Sequence, residues 1–389
     1  MMSIRDKVVA GFVTRYGQPP DVVVRAPGRV NLLGGHTDYN EGYVLPAAID
    51  RAAWVAAAVR TDRQSRVLAL DREEEAVFDL DAIAPRQGNW SDYPRGVAWA
   101  LSERGLALPA IDASLASDVP VGAGLSSSAA VEVAFAWAWR TLAGFDLDRI
   151  SLALACQQAE NDYVGVRCGV MDQVASACGR AGHALLLDCR TLQVDPVLLP
   201  ETAAIVVADS RVRRSLAASE YNRRRQECEE VVRQLQRELP HVRSLRDVSP
   251  ETLAQWAHRL PVELYRRARH VVTGNARVLT AAAALRCGDL AALGEAMRRC
   301  HESLRDDYQV SSPELDLLAE TAWSVGGCYG ARLTGAGFGG CVVAVVDSGA
   351  AGNLVECLKR AFRDHFGQLP AAYTCHSADG VTAQAALTG

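Results

Sequence analysis

Apolar positions recur at helical spacing from Ile4 to Tyr16, and residues 21–26 (DVVVRA) form a short strand pattern that Pro27 and Gly28 are expected to end in a loop. Residues 47–60 and 66–78 read as strands, 91–104 as a helix and 111–116 as another strand. The segment 126–142, SSSAAVEVAFAWAWRTL, carries only Glu132 and Arg140 as charges, so it predicts a helix that is apolar nearly all round and deeply buried. Its N-terminus, behind the turn PVGAG at 120–124, becomes an anchored positive dipole end. Helices follow at 151–164 and 170–178, and strands at 184–188 and 203–209. The character then changes: 216–300 reads as long amphipathic helices rich in Arg and Glu, and 332–346 (RLTGAGFGGCVVAVV) returns to strand, turn and strand. The pattern is mixed α/β, without internal repeat, and divides into domains 1–200 and 201–389.

Composition narrows the possible functions. The chain has 389 residues, 49% apolar and 22% charged, enough for more than one core, and its formal charge of -5 disfavours nucleic acid or anionic lipid as a partner. Arginines at 211–225 do not change this, because Glu220, Glu227, Glu229 and Glu230 interleave with or closely follow them and no aromatic platform accompanies them. Lysine occurs only as Lys7 and Lys359, neither followed by Ser or Thr nor set in a Gly-rich run, which excludes a P-loop and a protein-kinase phosphate site. The 11 cysteines lack any Cys-x-x-Cys pair and read as reduced core thiols, not as a disulfide framework or zinc site. Residues 1–20 lack the apolar core of a signal peptide and no 18 apolar residues run together, so a cytoplasmic location without membrane attachment is expected.

Four segments are candidates for chemistry. In PVGAGLSSSAA (120–130), Gly122 and Gly124 allow backbone amides to approach an anion, while the serines cap the helix and offer hydroxyls to phosphate or Mg2+; a plain capped helix is the competing reading. The stretch GAGFGG (335–340) matches a dinucleotide fingerprint, but the strand CVVAVV follows it where a helix is required, which rejects a Rossmann site. The segment 26–40, APGRVNLLGGHTDYN, supplies Arg29, His36, Asp38 and Asn40, and CGVMDQ (168–173) sets Asp172 in the first turn of a helix. Taken singly, these also read as an Arg–Asp pair, a turn and a helix-dipole partner.

Together the segments resemble the galactokinase branch of the GHMP small-molecule kinases, along nearly the whole chain. The resemblance is carried by RAPGRVNLLGGHTDYNEGYVLPAAI (25–49), the phosphate loop at 119–134, AENDYVGVRCGVMDQ (159–173), SLAASEYNRRRQECEE (215–230), HESLRDDYQVSSPELD (301–316) and RLTGAGFGGC (332–341). It implies a two-domain GHMP kinase fold, with a ribosomal protein S5-like α/β N-terminal domain, a ferredoxin-like α+β C-terminal domain, and the site in the cleft between them. The implied reaction moves the γ-phosphoryl group of ATP to the anomeric hydroxyl of a sugar, in a monomer or homodimer. By the same resemblance Asp172 is the catalytic base and Arg29 its partner; Ser128 and Glu160 hold Mg2+. Gly122, Ala123, Gly124, Leu125, Ser126, Ser127 and Ser128 take the ATP phosphates; Gly35, His36, Asp38, Gly169, Asp172 and Tyr221 take the sugar. In a loose phosphoryl-transfer transition state Asp172 is expected to act chiefly as an orienting acceptor that receives the proton late.

The chain also departs from that family. Galactokinases usually read Gly-Glu-His where this chain has Gly34, Gly35 and His36, and the missing glutamate is the family's ligand for the sugar's C6 hydroxyl. Such a charged hydrogen bond is worth about 1.5–3 kcal/mol, roughly ten- to a hundredfold in affinity. Galacturonokinase and L-arabinokinase therefore stand beside galactokinase as readings, and a non-catalytic sugar sensor is the reading from another class. Arg211 stands where the family tends to have Asn, and on an extended backbone it would share a face with Arg213, giving two candidate specificity residues. Gly274 replaces a usual Glu.

Overall fold

The computed structural model describes residues 2–213 and 217–385, so positions 215 and 216 of the 215–230 motif lie outside the described residues. Ser3 caps α1 (Ile4–Tyr16), its hydroxyl accepting from the Asp6 amide, and Gly17 in the left-handed conformation ends it. This helix sets Val8 and Phe12 against Val23, Ala56, Ala58 and Ala116. A buried ring such as Phe12 contributes about 1.5–3 kcal/mol relative to an exposed one.

Next come β1 (Val22–Leu33), β2 (Tyr43–Val59), β3 (Gln64–Ala69), β4 (Glu74–Asp79), α2 (Asp92–Glu103) and β5 (Ile111–Ser117). The apolar helix α3 (Ser127–Ala143) packs across β1 and β2 with Phe135 and Trp139 fully buried, as its sequence requires. After α4 (Arg149–Gln158), α5 (Met171–Cys178), β6 (His183–Asp188) and β7 (Val194–Leu198), the chain enters β8 (Ala203–Asp209). A helical run follows: α6 (Ala217–Gln236), α7 (Pro250–Gln255), α8 (Val262–Arg286), α9 (Leu290–Asp306) and α10 (Pro313–Ser324). The end is β9 (Cys328–Thr334), β10 (Cys341–Asp347), α11 (Ala351–Phe366), β11 (Ala371–Cys375) and β12 (Thr382–Ala385).

One sheet is ordered β12-β1-β2-β5-β3-β4, with β6 on β2 and β7 on β6; the other is ordered β11-β8-β10-β9 and is antiparallel throughout. Strand β10 is central in the second sheet and buried at every position but the last, which accounts for its unbroken apolar run. Strand β12 had no sequence signal; it returns from the chain's end to pair with β1 in the first sheet. Among the described residues, no helix is long and apolar enough to cross a membrane.

Four local expectations are corrected. Strand β1 does not stop at Pro27, because the missing proline amide falls at a register shift between Pro27 and Arg29. Gly28 lets the Leu125 carbonyl come so close that a Cβ would lie 2.7 Å from it, and the Arg29 amide donates to that carbonyl at 3.0 Å. Arg29 is thus held on a strand and not in a loop. The span 66–78 is two strands joined by a turn, since Asp71 to Glu73 interrupt the alternation. The helix expected over 151–164 changes at Ala159 into a π-helical turn, Ala159–Val164, in which the Gly165 and Val166 amides both donate to the Glu160 carbonyl. Finally, Arg211 has φ 60°, so the backbone is not extended there and the shared face with Arg213 does not form.

Candidate active site

Two adjoining clefts, of about 460 Å³ and about 180 Å³, are both lined by Arg29, Asp172, Gly335 and Ala336. Gly122 and Gly124, Leu125 and the three serines Ser126, Ser127 and Ser128 line the larger one. Ala123 is buried and absent from that lining, so its contribution is confined to the backbone. Gly122 (φ 66°) and Gly124 (φ 77°) adopt the left-handed conformation that the turn needs. Gly124 is further constrained, since a Cβ would lie 2.7 Å from the Thr334 carbonyl oxygen. The two Gly-rich segments of the sequence therefore pack against each other, and this contact explains the second one, GAGFGG.

The serine cap expected at α3 is not formed. Ser126 occupies the cap position with φ 61°, and its hydroxyl instead donates to Asp172 Oδ2 at 2.5 Å. Arg29 closes the other side of that carboxylate, with Nε to Oδ1 at 2.8 Å and Nη2 to Oδ2 at 2.7 Å, while its Nη1 donates to the Gly124 carbonyl at 2.7 Å. A residue on β1, one on α5 and the turn before α3 thus form one bonded unit. This bidentate geometry holds the carboxylate in a single orientation at the junction of the clefts.

The smaller cleft is lined by Asn31, Gly35, His36, Asp38, Glu160, Cys168 and Tyr221 among others. Burial, reinforced by Asp172, pushes the Asp38 carboxyl up to about 6. Gly169 lies behind that residue and not in the cleft wall: a Cβ on it would be 2.2 Å from Asp38 Oδ2. Both ring nitrogens of His36 are taken. Nε2 faces the Ala336 carbonyl at 3.0 Å and so must carry the proton, which leaves Nδ1 to accept from the Tyr39 hydroxyl at 2.8 Å. Burial pushes this imidazole down to about 3, so it is neutral and meets a ligand only through its ring. Tyr221 stacks near it, with ring centroids 5.2 Å apart.

Ser128 hydrogen-bonds Glu160, whose carboxyl is raised by burial and then by Asp172. Gln173 Nε2 bridges Glu160 Oε2 at 2.7 Å and Glu132 Oε2 at 3.1 Å, and burial with the nearby Glu160 raises Glu132 well above the usual range. Among the described residues no cluster of three His, Cys, Asp or Glu forms a protein-only metal cage. Arg213 pairs with Asp209 at 2.6 Å and donates to the Val121 carbonyl at 3.1 Å, so it braces the turn at 120–124; among the described residues Arg211 contributes only its amide, to Asp209 Oδ1 at 2.8 Å. Trp90 and Tyr93 in the larger cleft, and Asn31 and Cys168 in the smaller, were not legible beforehand. No spacing rule connects them, because separate elements bring them together.

Residues 10–59 match the profile described as Galactokinase galactose-binding signature, residues 92–180 that of GHMP kinases N terminal domain, and residues 281–364 that of GHMP kinases C terminal. A galactokinase of Roseiflexus sp. is 52% identical over 370 residues, 95% of each chain, and one of Chloroflexus aggregans is 47% identical over 376 residues, 96% of each. The crystal structure of Lactococcus lactis galactokinase complexed with galactose superposes with a TM-score of 0.93 at 33% identity, covering 96% of this chain and 98% of that one. A mevalonate kinase of L. major (TM-score 0.60, 17% identity) shares the fold alone, over 93% of this chain and 97% of that one. With identity and coverage at these levels, and with the bonded unit of Arg29, Asp172 and the glycine turn before α3 in place, the chain belongs to the galactokinase family of the GHMP kinases.

Proposed function

We propose that this chain is an ATP-dependent sugar 1-kinase that converts galactose to galactose 1-phosphate. One observation carries the reading: the Arg29–Asp172 pair stands where a cleft edged by phosphate-binding amides meets a smaller cleft lined by polar groups. Residues 122–128 hold the ATP phosphates through backbone amides and serine hydroxyls, with the amide end of α3 favouring their charge. Asp38 accepts from sugar hydroxyls, and the rings of His36 and Tyr221 wall the sugar. Asp172 accepts the hydrogen bond of the anomeric hydroxyl, orients it in line with the γ-phosphorus, and receives its proton late. Arg29 keeps that carboxylate oriented and places positive charge beside the transferring group.

Mg2+ fits the donor set. Among the described residues Glu160 has no cationic partner, and Ser128 and Glu160 together are one hydroxyl and one carboxylate, a set that an Mg2+ ion held there would share with phosphate oxygens and water. Bound there, the ion would neutralise phosphate charge. As to organisation, we propose two domains meeting near residue 200, between β7 and β8, with β12 added to the first domain's sheet. The test of function is a coupled assay for ADP release with Mg-ATP and galactose, with galactose 1-phosphate identified as product. ADP release that does not depend on galactose overturns the reading.

The raised Asp38 carboxyl sets a pH dependence. Above about 6 it is ionised and accepts from the sugar through both oxygens; below, protonation removes the charge and turns one of those acceptors into a donor. The KM for galactose is therefore expected to rise by up to about tenfold per pH unit below 6, with the KM for ATP changing much less. The effect on stability has the opposite sign: a carboxyl raised in the folded state favours folding at low pH and loses that contribution as pH rises through about 6. Initial rates from pH 5 to 8 check this, and a flat galactose KM removes Asp38 from sugar binding.

A further inference from the structure

Arg332, on β9, is fully buried, yet only Nη1 of its guanidinium has a partner, the Asn31 carbonyl at 2.8 Å; Nε and Nη2 have none among the described residues. Burial disfavours its charge, Arg29 and Arg277 repel it, and among the described residues only the Cys300 thiol, and no carboxylate, acts in its favour. A buried cation without a counter-charge is costly, and its persistence calls for an anion from elsewhere. Its position indicates where that anion binds. Nη2 lies 2.5 Å from where a Cβ on Gly35 would be, and Gly35 and Asn31 both line the smaller cleft. The Asn31 Oδ1 atom is also buried without a partner among the described residues. The guanidinium thus occupies the start of the volume that a side chain at position 35 would fill, and only a residue without a side chain separates it from the cleft.

The surroundings reinforce the positive character. Arg277 is bonded to the His270 carbonyl at 3.1 Å and to the Ser303 hydroxyl at 3.3 Å, with its Nε unpaired among the described residues. His270 faces the Gly35 carbonyl through Nε2 at 2.9 Å, and burial keeps it neutral. The carboxylate joined to this network, Asp307, is already shared by Arg269 and Ser303. Asp38, Asp172 and Glu160 line the same cleft and repel an anion, so an anionic group on the substrate is favoured only at the Gly35 end.

We propose that Arg332 is a specificity-determining residue: across Gly35 it supplies the positive charge that accepts the carboxylate of a galactose-configured uronic acid. Among carboxylated forms of an aldohexose, the uronic acid keeps both the ring and the anomeric hydroxyl that the transfer needs. The inference rests on the sugar 1-kinase reading and names a second substrate for the same site.

The experiment compares kcat/KM of the wild type for galactose, galacturonate and neutral galacturonamide at one Mg-ATP concentration. Galacturonate is expected within about tenfold of galactose, and at least tenfold above the amide, because charge and not size is recognised. Arg332→Gln removes the cation, and Gly35→Glu supplies a carboxylate beside it; each should lower the galacturonate-to-galactose ratio by at least tenfold. If neither variant folds, the comparison of acid and amide in the wild type decides alone. Turnover of galactose without turnover of galacturonate, or with acid and amide equal, overturns the inference and leaves the proposed function standing. Turnover of galacturonate without galactose supports the inference and overturns galactose as substrate; turnover of neither overturns both.

Discussion

Asp172→Asn should lower kcat by about 10² to 10⁴, the range for a positioned acid or base, while ATP affinity changes by no more than a few fold. The structure explains the separation. Asp172 accepts from Arg29 and Ser126, and an asparagine keeps one accepting oxygen but turns an amide toward donors. Arg29 remains tied to the Gly124 carbonyl at 2.7 Å, so the glycine turn before α3 keeps its shape. Nucleotide titration calorimetry combined with steady-state rates checks both halves. Turnover within a factor of a few of wild type would take Asp172 out of the mechanism.

Gly124→Val should abolish measurable nucleotide binding, a loss of about a hundredfold or more, comparable to removing preorganised donors from an anion site. Valine at φ 77° is strained, and its Cβ would lie 2.7 Å from the Thr334 carbonyl and 3.4 Å from Gly335 Cα. Because those neighbours are backbone, they cannot move aside as a flexible side chain would. The turn must shift away from β9, carrying the Gly124 carbonyl from Arg29. Melting should fall by several degrees as well, since the contact joins segments far apart in the chain. A folded variant with unchanged ATP affinity would mean that the turn serves only to begin α3.

Much of the site was legible in order and residue type. The apolar run of α3 required burial, which fixes its amide end, and the glycines before it required a turn with left-handed residues; both are local consequences of side-chain chemistry. The pairing of Arg29 with Asp172 was expected from family resemblance, although 143 positions separate them, and the structure shows why it holds: a bulge at Pro27 keeps Arg29 on β1, aimed at the start of α5. Patterns of apolar residues have no access to that bulge, to the π-helical turn that aims Glu160, or to the left-handed Arg211, since each depends on which distant backbone groups come close. Ser126 illustrates the same limit. Its residue type and position predict a helix cap, but a carboxylate on another helix offers its hydroxyl a stronger, charge-assisted bond, and the cap is given up. Gly35 shows it most plainly: the sequence reveals an absent carboxylate, and only the packing of β9 against β1 places beside it a guanidinium that has no carboxylate partner among the described residues.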